Sequence, residues 1–165
     1  MPSYSEIKVL PYPINTLFEL VADIEKYPEF VPWCVGARIL SKNGNNLKAD
    51  LLVGFKGFKE IFTSNVTLTP PLNGEAKIEA VMEKGPFNHL ENNWHFKSLR
   101  ENNTEINFQI DFEFRSKLFS KLIGHLFELA QRKMIKAFEE RASSCYSLRK
   151  SSGAIGDIDP SLLKR

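Results

Sequence analysis

The clearest pattern in the chain is an alternation of apolar and polar residues that runs from Val35 to Arg115. Turn sequences rich in Gly, Asn and Pro divide this region into six segments, which predicts six consecutive strands. Short turns join neighbouring strands in an antiparallel sense. The last segment is the most regular, and its apolar positions are Ile106, Phe108, Ile110, Phe112 and Phe114. One face of the predicted sheet is therefore apolar and the other faces water.

Segments with helical periodicity flank the strands. After a short first strand near residues 3–10, apolar residues recur every three or four positions and predict a helix over residues 13–25. A broader apolar stripe predicts a second helix over residues 116–146, which at 1.5 Å per residue is about 46 Å long. We expect an α+β domain over residues 1–146, in which a curved antiparallel sheet wraps around this long C-terminal helix. Residues 147–165 lose the periodicity and are predicted to form a flexible tail.

An aromatic-rich elbow separates the first helix from the strands. Residues 26–34 contain two prolines, which exclude a long helix but permit a tight turn. The turn presents Tyr27, Phe30, Val31 and Trp33. Further along, the small residues Ala76 and Ala80 lie on the apolar face of one strand. They indicate either a cavity between sheet and helix or a close approach of the helix.

Composition and charge exclude several classes of protein. The chain has 165 residues, of which 42% are hydrophobic and 25% charged, and this excludes collagen-like, disulfide-scaffold and disordered proteins. No apolar run approaches the ~20 residues that cross a bilayer, and the N-terminus does not resemble a signal peptide. Cys34 and Cys145 have no metal-binding spacing, so we expect a cytoplasmic protein. Residues 116–165 hold ten basic and five acidic residues, a bias that fits either an acidic partner or a solvated helix face.

The residues that could perform chemistry do not form a convincing catalytic or metal site. Six residues of strand separate His89 from His95 by about 20 Å, too far for one metal ion. Asp111 and Glu113 fall on the wet face of their strand. Glu60 and Ser64 differ, because their parity places them on the apolar face beside Phe62. Glu60 either orients the headgroup of a ligand or lies at a rim, in a salt bridge or at a bulge.

A second candidate surface is the hairpin formed by Phe55, Lys56, Phe58 and Lys59. Aromatic and basic side chains at an exposed tip suit a membrane interface, where rings lie at the level of the lipid headgroups. They also suit nucleic acid, with lysines on phosphates and rings on bases. A third possibility is that the phenylalanines fold back into the core.

Six short motifs resemble one known family. They are Tyr27-Pro-Glu-Phe-Val-Pro-Trp-Cys34, Ala49-Asp-Leu51, Phe62-Thr-Ser64, Gly85-Pro-Phe87 with Leu90 and Trp94, Phe112-Glu-Phe-Arg-Ser116, and Ala137-Phe-Glu-Glu-Arg-Ala142. Their identities and order are similar to those of the coenzyme Q-binding, START-like (helix-grip) family. That family includes mitochondrial coenzyme Q-binding proteins, their bacterial relatives and the bacterial ribosome association toxin. The resemblance covers residues 3–147.

The resemblance implies a protein that is not an enzyme and has no cofactor apart from a bound lipid. It would hold ubiquinone or a similar isoprenoid in a groove under the long helix, supporting respiratory electron transport or quinone synthesis. The predicted groove residues are Tyr27, Phe30, Val31, Trp33, Glu60, Phe62, Phe108, Ile110, Phe112, Leu122, Leu126 and Met134. Trp33, within Pro-Trp-Cys, resembles the quinone-binding branch.

The toxin branch of the family implies an alternative function, in which the protein binds the large ribosomal subunit and blocks subunit joining. In either case the contact surface would be basic, because membranes and ribosomal RNA are both anionic. The predicted membrane or ribosome contacts are Phe55, Lys56, Phe58, Lys59, Lys117, Lys121, Arg132 and Lys136. DNA is not an expected partner. We expect a bacterial cytoplasmic protein that also contacts the inner face of the cell membrane.

Overall fold

A computed structural model describes residues 3–55, 57–117 and 128–146. Its described part contains a curved seven-stranded sheet in the order β1-β7-β6-β5-β4-β3-β2, in which every neighbouring pair is antiparallel. The strands are β1 (Ser3–Leu10), β2 (Cys34–Asn43), β3 (Asn46–Phe55), β4 (Phe58–Leu72), β5 (Glu75–Lys84), β6 (Phe87–Ser98) and β7 (Thr104–Phe114). The predicted α+β architecture, with its short first strand and six later strands, is confirmed.

Tight turns fix the order of the strands, because consecutive strands from β2 to β7 are all neighbours. In the turn between β4 and β5, Asn73 and Gly74 have φ values of 53° and 79°. Positive φ at both central residues is the geometry of a type I′ turn, whose twist matches that of a hairpin. Asn and Gly adopt this conformation at low cost, which explains why the chain reverses there.

The first helix is shorter than its periodicity predicts. Helix α1 spans Ile14–Ala22, and a 3-10 helix over Ile24–Glu29 follows it. Asp23 has a ψ of 71°, which is outside the helical region and ends α1 three residues before the predicted boundary. The 3-10 helix contains Pro28 and packs against β2. A second 3-10 turn, Arg100–Asn102, connects β6 to β7.

The C-terminal helix, α2, is described over residues 128–146. The predicted stripe is buried there, since Met134 and Phe138 both lie in the core. The predicted start of the helix and the tail over residues 147–165 lie outside the described residues, apart from residues 116 and 117.

One end of the sheet's concave face is filled by side chains, and we call it the packed end. Helix α1 covers it and contacts β4, β5 and β6. Its members are nearly inaccessible to solvent and include Leu17, Phe18, Ala76, Phe96, Thr104 and Phe108. The Thr104 hydroxyl donates a hydrogen bond of 2.8 Å to the carbonyl of Tyr12, which satisfies a polar group inside the core.

Candidate functional site

A cavity of about 210 Å³ lies between the concave face of the sheet and helix α2, beyond the packed end. Strands β3 to β7 supply its floor, α2 supplies its roof and the elbow after α1 supplies one wall. Its lining is mostly apolar. The lining residues are Tyr27, Trp33, Leu51, Val53, Glu60, Phe62, Ser64, Ala80, Pro86, Phe87, Leu90, Asn92, Trp94, Ile110, Phe114, Ala130, Gln131, Met134 and Phe138.

The two alanines on β5 have different environments, and the helix that lies close to one of them is α1 rather than the C-terminal helix. Ala80 lines the cavity between Val66 and Asn92, its cross-strand neighbours. The missing side-chain volume at this position contributes to the empty space. Ala76 is 1% exposed and belongs to the packed end, where α1 lies close to β5. A small side chain therefore marks the cavity in one case and close packing in the other.

The cavity wall is stiffened by aromatic contacts. Phe87 stacks on Phe114 with ring centroids 4.8 Å apart and also meets Phe62 at 5.5 Å. On the roof, Phe138 contacts Trp94 at 5.1 Å. Offset and edge-to-face arrangements of this kind add to the energy of simple burial. We therefore expect the cavity to keep its shape without a ligand.

The elbow over residues 26–34 packs against α2 through several side-chain contacts. Tyr27 and Phe30 both meet the ring of Phe138, at 5.2 Å and 5.0 Å. The Arg141 guanidinium lies 4.9 Å from the centre of the Phe30 ring and donates a 2.6 Å hydrogen bond to Glu29. The Tyr27 hydroxyl donates to the carbonyl of Val21, and burial raises the pKa of Tyr27 well above its usual value. The elbow thus forms a fixed wall of the cavity.

Polar groups in the cavity fall into two kinds. The Asn92 amide is occupied, because its oxygen accepts from the indole N–H of Trp94 at 3.0 Å and its nitrogen donates to the carbonyl of Gln109 at 3.3 Å. The indole N–H of Trp33 is buried and has no hydrogen-bond partner within the described ranges. Buried donors without a partner are rare and destabilising. A bound ligand that accepts a hydrogen bond would remove this cost.

Six of the predicted groove residues line the cavity: Tyr27, Trp33, Glu60, Phe62, Ile110 and Met134. Four do not. Phe30 and Val31 lie in the elbow, where Phe30 packs on α2, and Phe108 belongs to the packed end. Phe112 lies beside Phe87 and Phe114 behind the cavity wall. The physical reason is that strand parity identifies a face but not the part of that face left empty. Leu122 and Leu126 lie outside the described residues.

Sequence reasoning missed several lining residues that carry polar atoms. Asn92 lies on the apolar face of β6 between Leu90 and Trp94, so its parity was a usable signal. Gln131 is 5% exposed and interrupts the apolar stripe of α2. A polar residue inside an apolar stripe could have been identified in the same way as Glu60.

The predicted contact residues are only partly described. Lys59, Lys117, Arg132 and Lys136 are exposed, and Arg132 donates a 2.9 Å hydrogen bond to Glu128 one helical turn away. The side chains of Phe55 and Phe58 and the whole of Lys56 and Lys121 lie outside the described part.

The other histidine and carboxylate side chains considered in the sequence do not lie in the cavity. His95 pairs with Glu75 at 3.0 Å on an exposed part of the sheet, while Asp111 and Glu113 are exposed on β7. Within the described ranges, no three His, Cys, Asp or Glu side chains are close enough to hold a metal ion. None of the described helices combines the length and apolar character needed to cross a membrane.

The fold and the cavity together define a START-like protein, in which a curved sheet and a C-terminal helix enclose an apolar space. The chain belongs to the polyketide cyclase/dehydrase and lipid transport family, whose model matches residues 10–139. The family resemblance found in the six sequence motifs is thereby confirmed.

Two relatives carry names from different functional branches. The chain is 42% identical over 142 residues to a ribosome association toxin, RatA, of Rickettsia prowazekii, covering 86% of this chain and 97% of the toxin. It is 36% identical over 147 residues to the mitochondrial coenzyme Q-binding protein COQ10 homolog B of Xenopus laevis, covering 87% of this chain and 59% of that protein. Both branches named by the sequence motifs are thus represented among its relatives.

Solved structures confirm the fold. An 18 kDa protein, CC1736, from Caulobacter crescentus is 33% identical, with a TM-score of 0.70 over 89% of this chain and 99% of that protein. The Zhui aromatase/cyclase of a Streptomyces strain has a TM-score of 0.74 at 18% identity, covering 86% of this chain and 93% of the enzyme. At that identity the likeness concerns the fold alone.

Proposed function

We propose that this protein binds an isoprenoid quinone, of the ubiquinone type, in the cavity under α2 and carries it without transforming it. The observation that supports this most is the apolar cavity of about 210 Å³ with few polar groups. An engineered apolar cavity of about 150 Å³ is known to bind benzene. The space here therefore suits a substituted ring with the first part of an isoprenoid tail.

The chemistry of the lining supports a carrier more than a catalyst. Catalysis of acyl or proton transfer needs a nucleophile or base held by a second group. Ser64 lines the cavity, but no described His, Asp or Glu forms a hydrogen bond with its hydroxyl. The Xenopus relative is named as a coenzyme Q-binding protein, which supports the choice of quinone.

The test is to identify the lipid and then to measure its binding. Protein purified under native conditions should release an isoprenoid lipid that mass spectrometry detects in the extract. Titration with decylubiquinone should quench tryptophan fluorescence, since Trp33 and Trp94 both line the cavity. Absence of any isoprenoid, together with unchanged fluorescence, would remove the basis of the proposal.

Delivery of such a ligand needs contact with a membrane. We propose that the protein docks reversibly on anionic bilayers through the β3–β4 hairpin, where Lys59 is exposed. Each lysine near such a surface contributes about 1 kcal/mol, enough for transient attachment by a few charges. Sedimentation with liposomes should increase with anionic lipid content and fall after Lys56→Glu with Lys59→Glu. Sedimentation independent of both would contradict docking by this hairpin.

The second candidate function is association with the large ribosomal subunit, supported by the 42% identity to a toxin named for ribosome association. The structural observation in its favour is that Lys133 and Lys136 are exposed on α2 without an ion pair among the described residues. Unpaired cations on one helix are available for phosphate contacts.

A sucrose gradient separates the two candidates. If ribosome association is the main role, overexpressed protein should move with the large subunit and deplete joined ribosomes. Lys133→Glu with Lys136→Glu should relieve the depletion, whereas Lys77→Glu with Lys97→Glu, exposed lysines on β5 and β6, should not. The association should also weaken at higher salt. Normal ribosome profiles, with respiration impaired by loss of the protein, would favour the quinone carrier.

A further inference from the structure

Two polar groups of opposite hydrogen-bonding sense line the cavity without a partner among the described residues. The Trp33 indole N–H can only donate, and it is buried without a partner within the described ranges. The Glu60 carboxylate lines the same cavity, and no described residue forms a hydrogen bond or ion pair with it. An ionised carboxylate can only accept.

Strand pairing places the two residues on either side of β3. The backbone N–H of Gly54 donates a 2.9 Å hydrogen bond to the carbonyl of Trp33. The preceding residue, Val53, lies opposite Glu60 in the β3–β4 register and lines the cavity. Since adjacent strands are about 4.8 Å apart, the backbones of Trp33 and Glu60 are roughly 10 Å apart. Both residues line the same cavity, so one bound ring can meet both side chains.

The oxidation state of a bound quinone ring determines whether Trp33 and Glu60 can both form a hydrogen bond with it. A quinone carbonyl accepts from Trp33 but has no hydrogen for Glu60, and its lone pairs repel a carboxylate. A quinol hydroxyl accepts from Trp33 and donates to Glu60. Hydrogen bonds to an ionised group are stronger than neutral ones, so this second contact should dominate the difference.

We propose that the cavity prefers the reduced, hydroxyl-bearing form of its ring ligand, with Trp33 and Glu60 as the residues that determine this specificity. The inference rests on the proposed quinone-binding function and deepens it. In this arrangement Glu60 distinguishes the quinol from the quinone. Trp33 donates a hydrogen bond to the ring oxygen of either form.

The experiment compares decylubiquinol with decylubiquinone by anaerobic equilibrium dialysis against the full chain. The wild-type protein should bind the quinol about tenfold more tightly, the ratio expected for one charge-assisted hydrogen bond. Glu60→Gln should bring the ratio close to one, because the amide can donate to a carbonyl as well as accept from a hydroxyl. Glu79→Gln is the matched control, since Glu79 is exposed on β5 and should leave the ratio unchanged.

Trp33→Phe tests the donor separately. It should weaken both redox forms by a similar factor of about five to ten, while decylbenzene, which has no oxygen, should bind within about twofold of its wild-type affinity. An equal loss for decylbenzene would show that Trp33 contributes apolar surface only, and would overturn its assigned role.

The outcomes also distinguish this inference from the proposed function. Equal wild-type affinity for both redox forms, or a ratio that Glu60→Gln leaves unchanged, overturns the preference but leaves quinone binding standing. Failure of the wild-type protein to bind either form overturns both proposals.

Discussion

The two ends of the concave face of the sheet are built from the same strands but are covered differently. At the packed end, α1 lies on β4, β5 and β6, and Phe96 is fully inaccessible to solvent. At the other end, α2 and the elbow cover the sheet and leave a cavity of about 210 Å³. The void at the packed end, lined in part by Leu17 and Phe108, is about 20 Å³. The covering element, rather than the sheet, therefore decides where the space lies.

The packed end and the cavity end therefore contribute differently to the stability of the fold and to ligand binding. Side chains around a cavity lack partner atoms on one side and lose the dispersion energy that close packing would provide. The packed end must then supply more of the free energy of folding. Binding sites commonly carry such a cost, because the geometry that suits a ligand differs from the geometry that suits the empty fold.

The largest expected effect comes from removing a ring at the packed end. The Phe96 ring lies 6.0 Å from that of Phe18 and is stacked on Trp94 at 6.3 Å. Phe96→Ala should lower the free energy of unfolding in urea by about 3–5 kcal/mol, since the buried site cannot collapse fully. The matched change Phe62→Ala only enlarges an existing cavity and should cost about 1–2 kcal/mol. Equal losses would show that the two ends contribute equally to stability.

The strand pattern was enough to predict which side chains face the core, but not how the core is filled. In β7, burial alternates from Thr104 to Phe114 as the sequence predicted. The end of α1 at Ala22 was missed, because Ile24 continues the apolar spacing although Asp23 leaves the helical region. Periodicity reports the direction of a side chain; the backbone break at Asp23 has no signature in hydrophobicity.

A second pair of variants tests the two ends with one substitution on one strand. Ala76→Trp places a large ring where no space exists, and overpacking of this kind typically costs about 1–3 kcal/mol. Ala80→Trp places the same ring in the cavity, so the free energy of unfolding should change by less than about 1 kcal/mol while decylubiquinone binding is lost. Urea denaturation and fluorescence titration measure the two quantities. Retained binding in a folded Ala80→Trp protein would show that the ligand lies elsewhere.

The polar residues of the candidate site were predictable where a residue contradicts its own pattern. Glu60 was found because a carboxylate occupies an apolar position, and Asn92 could have been found by the same parity. Phe108 was predicted to line the cavity because it shares a face with Ile110, and the structure places it under the packed end. The unpartnered N–H of Trp33 depends on what surrounds the ring in three dimensions. No pattern in the sequence reports it.

The smallest expected effect is a pH dependence at the elbow wall of the cavity. Burial raises the pKa of Tyr27 above its ordinary value of 10.0, because the folded protein disfavours the charged phenolate. The unfolded chain releases this proton near pH 10 whereas the folded protein keeps it. Stability from Tyr27 is therefore complete below pH 10 and is lost as the pH rises from 10 towards the folded pKa.

Between pH 8 and pH 10.5 this single group should remove about 0.8 kcal/mol from the free energy of unfolding. Tyr27→Phe abolishes that part of the decline, although it also removes the hydrogen bond to the carbonyl of Val21 at every pH. The measurement is the difference in free energy of unfolding between wild type and Tyr27→Phe in urea at the two pH values. The difference should shrink by about 0.8 kcal/mol at the higher pH. A constant difference would show that the elbow opens to solvent and that this wall of the cavity is less fixed than its contacts with Phe138 indicate.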